Sequence, residues 1–218
     1  MKPILTLSAT IILMVYFPLN ARAQRTSDTH AYTRTPVVAI SNNFLYESAS
    51  AFTRFHSFPL AVGLERPLGR HWSIYSNFLI TVPWRAWNDN AECAELLHGD
   101  LGAKWFPWAK ENRPLLTGWF AYLAAGAGYY DFERDGKGYQ GEEILAALGV
   151  GYGINLGRNW SLDIAVGAGP LFTQYRYYEG RSNNQHLAFR FKGNLDYFGA
   201  TDAKITLKYL IGIKKKNN

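Results

Sequence analysis

Between residues 143 and 156 the chain sorts by parity. Ile144, Ala146, Leu148, Val150, Tyr152, Ile154 and Leu156 are apolar, whereas Glu143, Ala147, Gly149, Gly151, Gly153 and Asn155 are small or polar, with Leu145 the one exception. Residues 159–172 repeat the pattern, setting Trp160, Leu162, Ile164, Val166, Ala168, Pro170 and Phe172 against Ser161, Asp163, Ala165, Gly167 and Gly169. Successive side chains of a strand point to opposite faces, so this period of two predicts strands with one greasy and one polar side. Both runs exceed ten residues, and a tilted strand needs roughly 9–11 to cross a bilayer.

The same test along the chain predicts eight strands, at 35–46, 58–68, 72–84, 96–106, 117–130, 143–156, 159–172 and 201–213. The connections alternate in length. Leu68-Gly69-Arg70-His71 and Leu156-Gly157-Arg158-Asn159 are tight turns, and 107–116 is bracketed by prolines; 47–57, 85–95, 131–142 and 173–199 are longer. An even strand number with short turns at one end and long loops at the other is the signature of an all-β, eight-stranded antiparallel up-and-down transmembrane β-barrel. Aromatic residues fall where two girdles would lie. Trp72, Trp105, Trp119 and Trp160 mark the short-turn rim, and Tyr46, Trp84, Tyr129 and Phe172 mark the other, all on the apolar face. Amphipathic rings favour the headgroup level.

An eight-stranded barrel has just enough interior for its own side chains, which argues against a diffusion pore. The inward parity holds Glu65, Asp100, Asp163 and Asp202 as acids and Lys104, Lys204 and Lys208 as bases. Buried charges are costly unless paired, so the reading is a satisfied polar plug, against a proton or ion path or a small ligand pocket. Inward glycines on the fifth to seventh strands leave room for Tyr75, Phe120 and Tyr122.

The ends and totals add location and exclude some chemistry. Lys2, an apolar stretch and Ala21-Arg22-Ala23 predict a cleaved signal peptide at 1–23, followed by a leader at 24–34, the barrel at 35–213 and a basic tail at 214–218. The formal net charge is +6; losing Lys2 and Arg22 lowers it by two, and only 214–216 forms a basic run, so nucleic acid is not an expected partner. Outer-membrane lipid is. The single cysteine, Cys93, falls in a predicted loop and cannot form an internal disulfide. The five histidines have no serine at triad spacing and no ligand-spaced neighbours, so neither an enzyme, a metal site nor a cofactor is expected. His186 beside Arg190 is the one pairing to test for lipid-modifying chemistry.

Residues 173–199 form the longest predicted loop. Tyr175, Arg176, Tyr177, Tyr178 and Arg190 are its candidate partner-binding residues, because exposed Tyr and Arg favour protein contacts. A plain protruding hairpin is the equal alternative. Oligomeric state is not legible.

Several segments together resemble a known group. Among them are Asn43-Phe44-Leu45-Tyr46, Ala61-Val62-Gly63-Leu64-Glu65, Val82-Pro83-Trp84, Lys104-Trp105-Phe106-Pro107, Gly138-Tyr139-Gln140-Gly141-Glu142, Tyr175-Arg176-Tyr177-Tyr178 and the run from Phe198 to Leu207. They resemble an uncharacterised domain-of-unknown-function family of small outer-membrane barrels from Bacteroidetes, often encoded near fimbrial subunit genes. The resemblance covers about 36–213. It implies a non-enzymatic barrel connected with fimbriae through assembly, anchoring or accompaniment, and it transfers no catalytic residue. The segment His98-Gly99-Asp100 departs from the Glu-Leu-Arg-Tyr-like run expected there.

Overall fold

The computed structural model describes residues 37–43, 58–82, 93–110, 114–134, 136–157, 159–180 and 187–211. These form eight strands: β1 (Val37–Asn43), β2 (Phe58–Pro67), β3 (Trp72–Val82), β4 (Cys93–Trp105), β5 (Gly118–Arg134), β6 (Lys137–Asn155), β7 (Trp160–Gly180) and β8 (Leu187–Leu210). Each pairs antiparallel with the next. β8 returns to β1, from Val37 opposite Leu210 to Asn43 opposite Lys204, so the ring closes as a barrel. The predicted signal peptide, leader and basic tail lie outside the described residues, as do His30, His56 and His186.

Parity sets the two faces as expected. On β6, Ile144 and Leu148 turn outward and are 64% and 68% exposed, while Glu143 and Ala147 are buried. Leu145, the bulky apolar exception among the inward positions of this run, is buried on the inward face. The reason for the glycines is also visible, because large inward rings lie over the neighbouring strands. A Cβ at Gly149 or Gly167 would meet the Tyr122 ring, and one at Gly151 would meet Phe120. The strand backbones are hydrogen-bonded to both neighbours, and closure leaves the lower part of the sheet without an edge.

The two ends differ. At the turn end, Leu68 N–H donates to Trp72 O at 2.9 Å and Leu156 N–H to Trp160 O at 3.0 Å, closing the β2–β3 and β6–β7 connections. The β4–β5 connection folds back on the barrel: Phe106 N–H donates to His71 O at 2.8 Å, and the side chains of Phe106 and Leu116 are buried against Phe120, Val37 and Leu210. Leu116 takes a left-handed φ of 58°, a conformation that costs a non-glycine residue about 1–2 kcal/mol. Burial of its side chain, and its carbonyl accepting from Lys208 Nζ at 3.4 Å, hold it there.

At the other end β5 to β8 run on, reaching 17, 19, 21 and 24 residues. Two predicted loops are therefore corrected. Segment 131–142 is largely strand, at 131–134 and 137–142: Arg134 pairs with Lys137, and Gly136 at the turn has a φ of 72°, which suits the twist of a hairpin. Most of 173–199 is likewise strand, paired from Thr173 opposite Leu195 to Gly180 opposite Leu187. Cys93, expected in a loop, begins β4. The physical reason is common to all three: pairing continued past the point where the apolar parity lapsed, because ladder hydrogen bonds do not require a greasy face.

Candidate functional site

Two places concentrate chemistry: the lumen and the tall end of the sheet. In the lumen, all seven charged residues expected inside are directed inward. Near the turn end, Lys104 Nζ on β4 donates to Glu65 Oε2 on β2 at 2.9 Å and to Asp163 Oδ2 on β7 at 2.7 Å. Lys208 on β8, fully buried, lies 2.8 Å from Asp163 Oδ1 and 3.6 Å from Glu65 Oε2. Ser73 donates to the other Glu65 oxygen. Two acids and two bases thus alternate around one buried square, and each charge meets two of opposite sign.

Half-way up, Tyr122 OH donates to Asp202 Oδ2 at 2.7 Å, Lys204 pairs with Asp202 at 2.8 Å, and Asn77 donates to Asp100 Oδ1 at 3.0 Å. The Tyr75 ring lies between the two lysine layers, 5.1 Å from both Lys104 Nζ and Lys204 Nζ. Higher still, His98 Nδ1 contacts Glu143 Oε1 at 3.0 Å, both side chains buried. Above them Tyr130 and Thr173 share a 2.7 Å hydrogen bond.

The lumen is thereby filled. Beside His98, Asp100, Thr201, Asp202 and Lys204 lies a cavity of about 30 Å³, room for one or two waters. The Phe106–Leu116–Phe120 cluster lies across the turn end. Charge pairing across the barrel fixes which walls face each other. Among the described residues no group of three or more His, Cys, Asp or Glu side chains is placed to hold a metal ion.

On the outside, the four expected tryptophans lie at the turn-end rim and gain partners. Trp72 stacks on Trp105 at 6.2 Å, Trp119 meets Tyr152 edge-on at 5.2 Å, and Trp160 packs on Tyr209 at 4.9 Å. Tyr152 and Tyr209 were legible as outward aromatics but had not been assigned to the rim. At the other rim Phe172 is exposed and Tyr129 half-buried; Tyr46 and Trp84 lie outside the described residues. Phe198, on β8 opposite Pro170, is 80% exposed at the same level. It was missed because the last strand was expected to begin at Thr201.

Beyond Phe172, β5 to β8 continue as a sheet. Tyr175 and Tyr177 lie on the face that continues the lumen wall, with Tyr139 of β6 and Phe191 of β8: Tyr139 is 4.9 Å from Tyr177, which is 5.1 Å from Phe191. Tyr178 is on the other face, its hydroxyl donating to Gln140 Oε1 at 3.4 Å and its ring against Phe189. Arg190, the extra residue at a bulge opposite Tyr177 and Tyr178, pairs with Glu179 at 3.4 Å. Arg176 faces Lys192 across the pair. The five candidate binding residues thus divide between two faces of a hairpin rather than sharing a loop.

No curated protein matches this chain. A family model described as "Protein of unknown function (DUF3575)" matches residues 9–211. The chain belongs to that family.

Proposed function

We propose that this family member is a non-enzymatic outer-membrane β-barrel that passes no solute and serves as a membrane-seated post, presenting the β7–β8 hairpin to a fimbrial or other surface protein during assembly or anchoring. The observation that carries the reading is the outward belt of a closed ring, apolar between two aromatic rims, beneath a sheet that continues past one rim. From Trp160 to Phe172 the belt spans twelve residue steps. At ~3.3 Å per step and a tilt of about 40°, it rises roughly 30 Å, the thickness of a hydrocarbon core. Isolated exposed leucines are ordinary on soluble proteins, but a belt that includes Val62, Phe78, Leu123, Leu148 and Val166 is not. Filling of the lumen by paired charges supports a structural rather than a conducting role.

A surface adhesin or anchor acting through residues 173–199 uses the same hairpin and differs only in its partner. Deleting the gene and measuring surface fimbriae separates the two: fewer or altered fimbriae are expected, and fimbriae normal in amount and length would overturn the assembly role. The membrane seat has its own measurement. Protein refolded in detergent should change its electrophoretic mobility on boiling, and unchanged mobility would count against a barrel in the bilayer.

A further inference from the structure

β8 breaks its alternation beside the small lumenal cavity. Ala168 of β7 stands opposite Ala200 and Gly167 opposite Asp202, so Thr201 is an extra residue in the ladder. Neighbours in a regular strand point to opposite faces, but Thr201 and Asp202 are both buried and both line the cavity. A β-bulge re-aims a side chain in this way. The hydroxyl turned inward has nothing to bond: Thr201 is only 9% exposed, and its Oγ1 has no hydrogen-bond partner among the described residues. Burying a hydroxyl unbonded is costly, so the bulge points to a ligand in the space it faces.

The groups around that hydroxyl specify the ligand's charge. Asp100 faces the same space from β4, and its Oδ1 accepts from a neutral donor, the Asn77 amide, at 3.0 Å. Lys204 lies 2.8 Å from Asp202 Oδ2, which also accepts from Tyr122. Its ammonium rests over the Tyr75 and Tyr122 rings at 5.1 and 5.3 Å. His98, also on the cavity wall, has its Nδ1 3.0 Å from Glu143 Oε1. Among the described residues at the Asp100–Asp202 level, two carboxylates share one ammonium, whereas the lower square matches two acids with two lysines. The charge left over is a single negative one. Carboxylate and hydroxyl oxygens are the ligands of hard cations, and about 30 Å³ has room for an ion of sodium's size with a water.

We propose that this cavity binds a monovalent cation of sodium's size, held by the Asp100 and Asp202 carboxylates and the Thr201 hydroxyl, with water completing its shell. The ion ties β4 to β8, two strands that are not neighbours in the ring. It neutralises the carboxylate that the lysines leave over, and it gives the bulge hydroxyl a partner. The site depends on the closed interior alone and goes beyond the role proposed for the hairpin above it.

The test uses the full-length protein folded in detergent, with chloride and ionic strength held fixed while sodium replaces choline, a cation too large for the cavity. The thermal midpoint should climb with the logarithm of sodium concentration once the site begins to fill. Asp100→Asn keeps an acceptor for Asn77 and should need about tenfold more sodium for the same rise. Thr201→Val should weaken the response severalfold, and Thr201→Ser should restore it. Crystals soaked in thallium(I) should show anomalous density beside Asp100 and Thr201. Equal midpoints in sodium and choline would overturn the proposal, leaving water or a proton as the occupant. A sodium response unchanged in both Asp100→Asn and Thr201→Val would overturn it too, as a general salt effect. Should Asp100→Asn fail to fold, the contrast between Thr201→Val and Thr201→Ser decides alone.

Discussion

At the scale of single residues, the lumen shows how sequence chemistry is converted into constraint. Lys104 is the centre of the lower cluster, because its one ammonium bridges Glu65 and Asp163 from two different walls. Replacing it by methionine removes the bridge and leaves two buried carboxylates with Lys208 alone. Breaking a buried pair by deleting one partner costs about 3–5 kcal/mol, so Lys104→Met should lower the denaturant midpoint sharply when unfolding is followed in lipid vesicles. Adding Asp163→Asn should recover part of the loss, since one carboxylate then matches one lysine. A double variant as unstable as the single would show that pairing is not what Lys104 contributes. The individual inward charges were readable from parity. Glu143 was readable as inward but not as a partner for His98, because its partner lies 45 positions away on a non-adjacent strand.

At the scale of elements, the β5–β6 hairpin carries an acidic tip that the alternation gave no reason to expect as strand. Glu95 and Asp131 are opposite one another across β4 and β5. Burial, reinforced by the Glu95 carboxylate, holds the Asp131 carboxyl above its ordinary range despite a 3.1 Å hydrogen bond from Gln140 Nε2. Burial and Asp131 do the same to Glu133. An acid whose folded-state pKa is raised binds its proton more tightly when folded, so its contribution to stability is present at low pH and is lost as pH rises through the folded value. Amide exchange at 131–140 should therefore quicken as pH climbs out of the acid range, after correction for intrinsic rates, and then level off. Asp131→Asn keeps the acceptor for Gln140 and should flatten that rise. An unchanged profile would place the sensitivity elsewhere. These strand extensions escaped the parity reading because it weighs side chains, whereas the register is held by backbone bonds and by the turn at Gly136.

At the scale of the whole molecule, closure is what gives the interior its character. Eight walls bring Glu65, Lys104, Asp163 and Lys208 within one cluster from four strands, and the β4–β5 connection covers the turn end. Reconstituted into a planar bilayer, the protein should show no steady conductance steps; resolved, reproducible steps would mean the lumen is open. The strand count, the outward and inward faces, the turn-end aromatics and the seven inward charges follow from the sequence alone, because a period of two is a local property and each strand states it separately. Which charge meets which, the apolar cluster across one end and the run of β5 to β8 beyond Phe172 were decided only in three dimensions. They depend on the relative register of strands far apart in the chain and on where the ring closes, and no single strand encodes either.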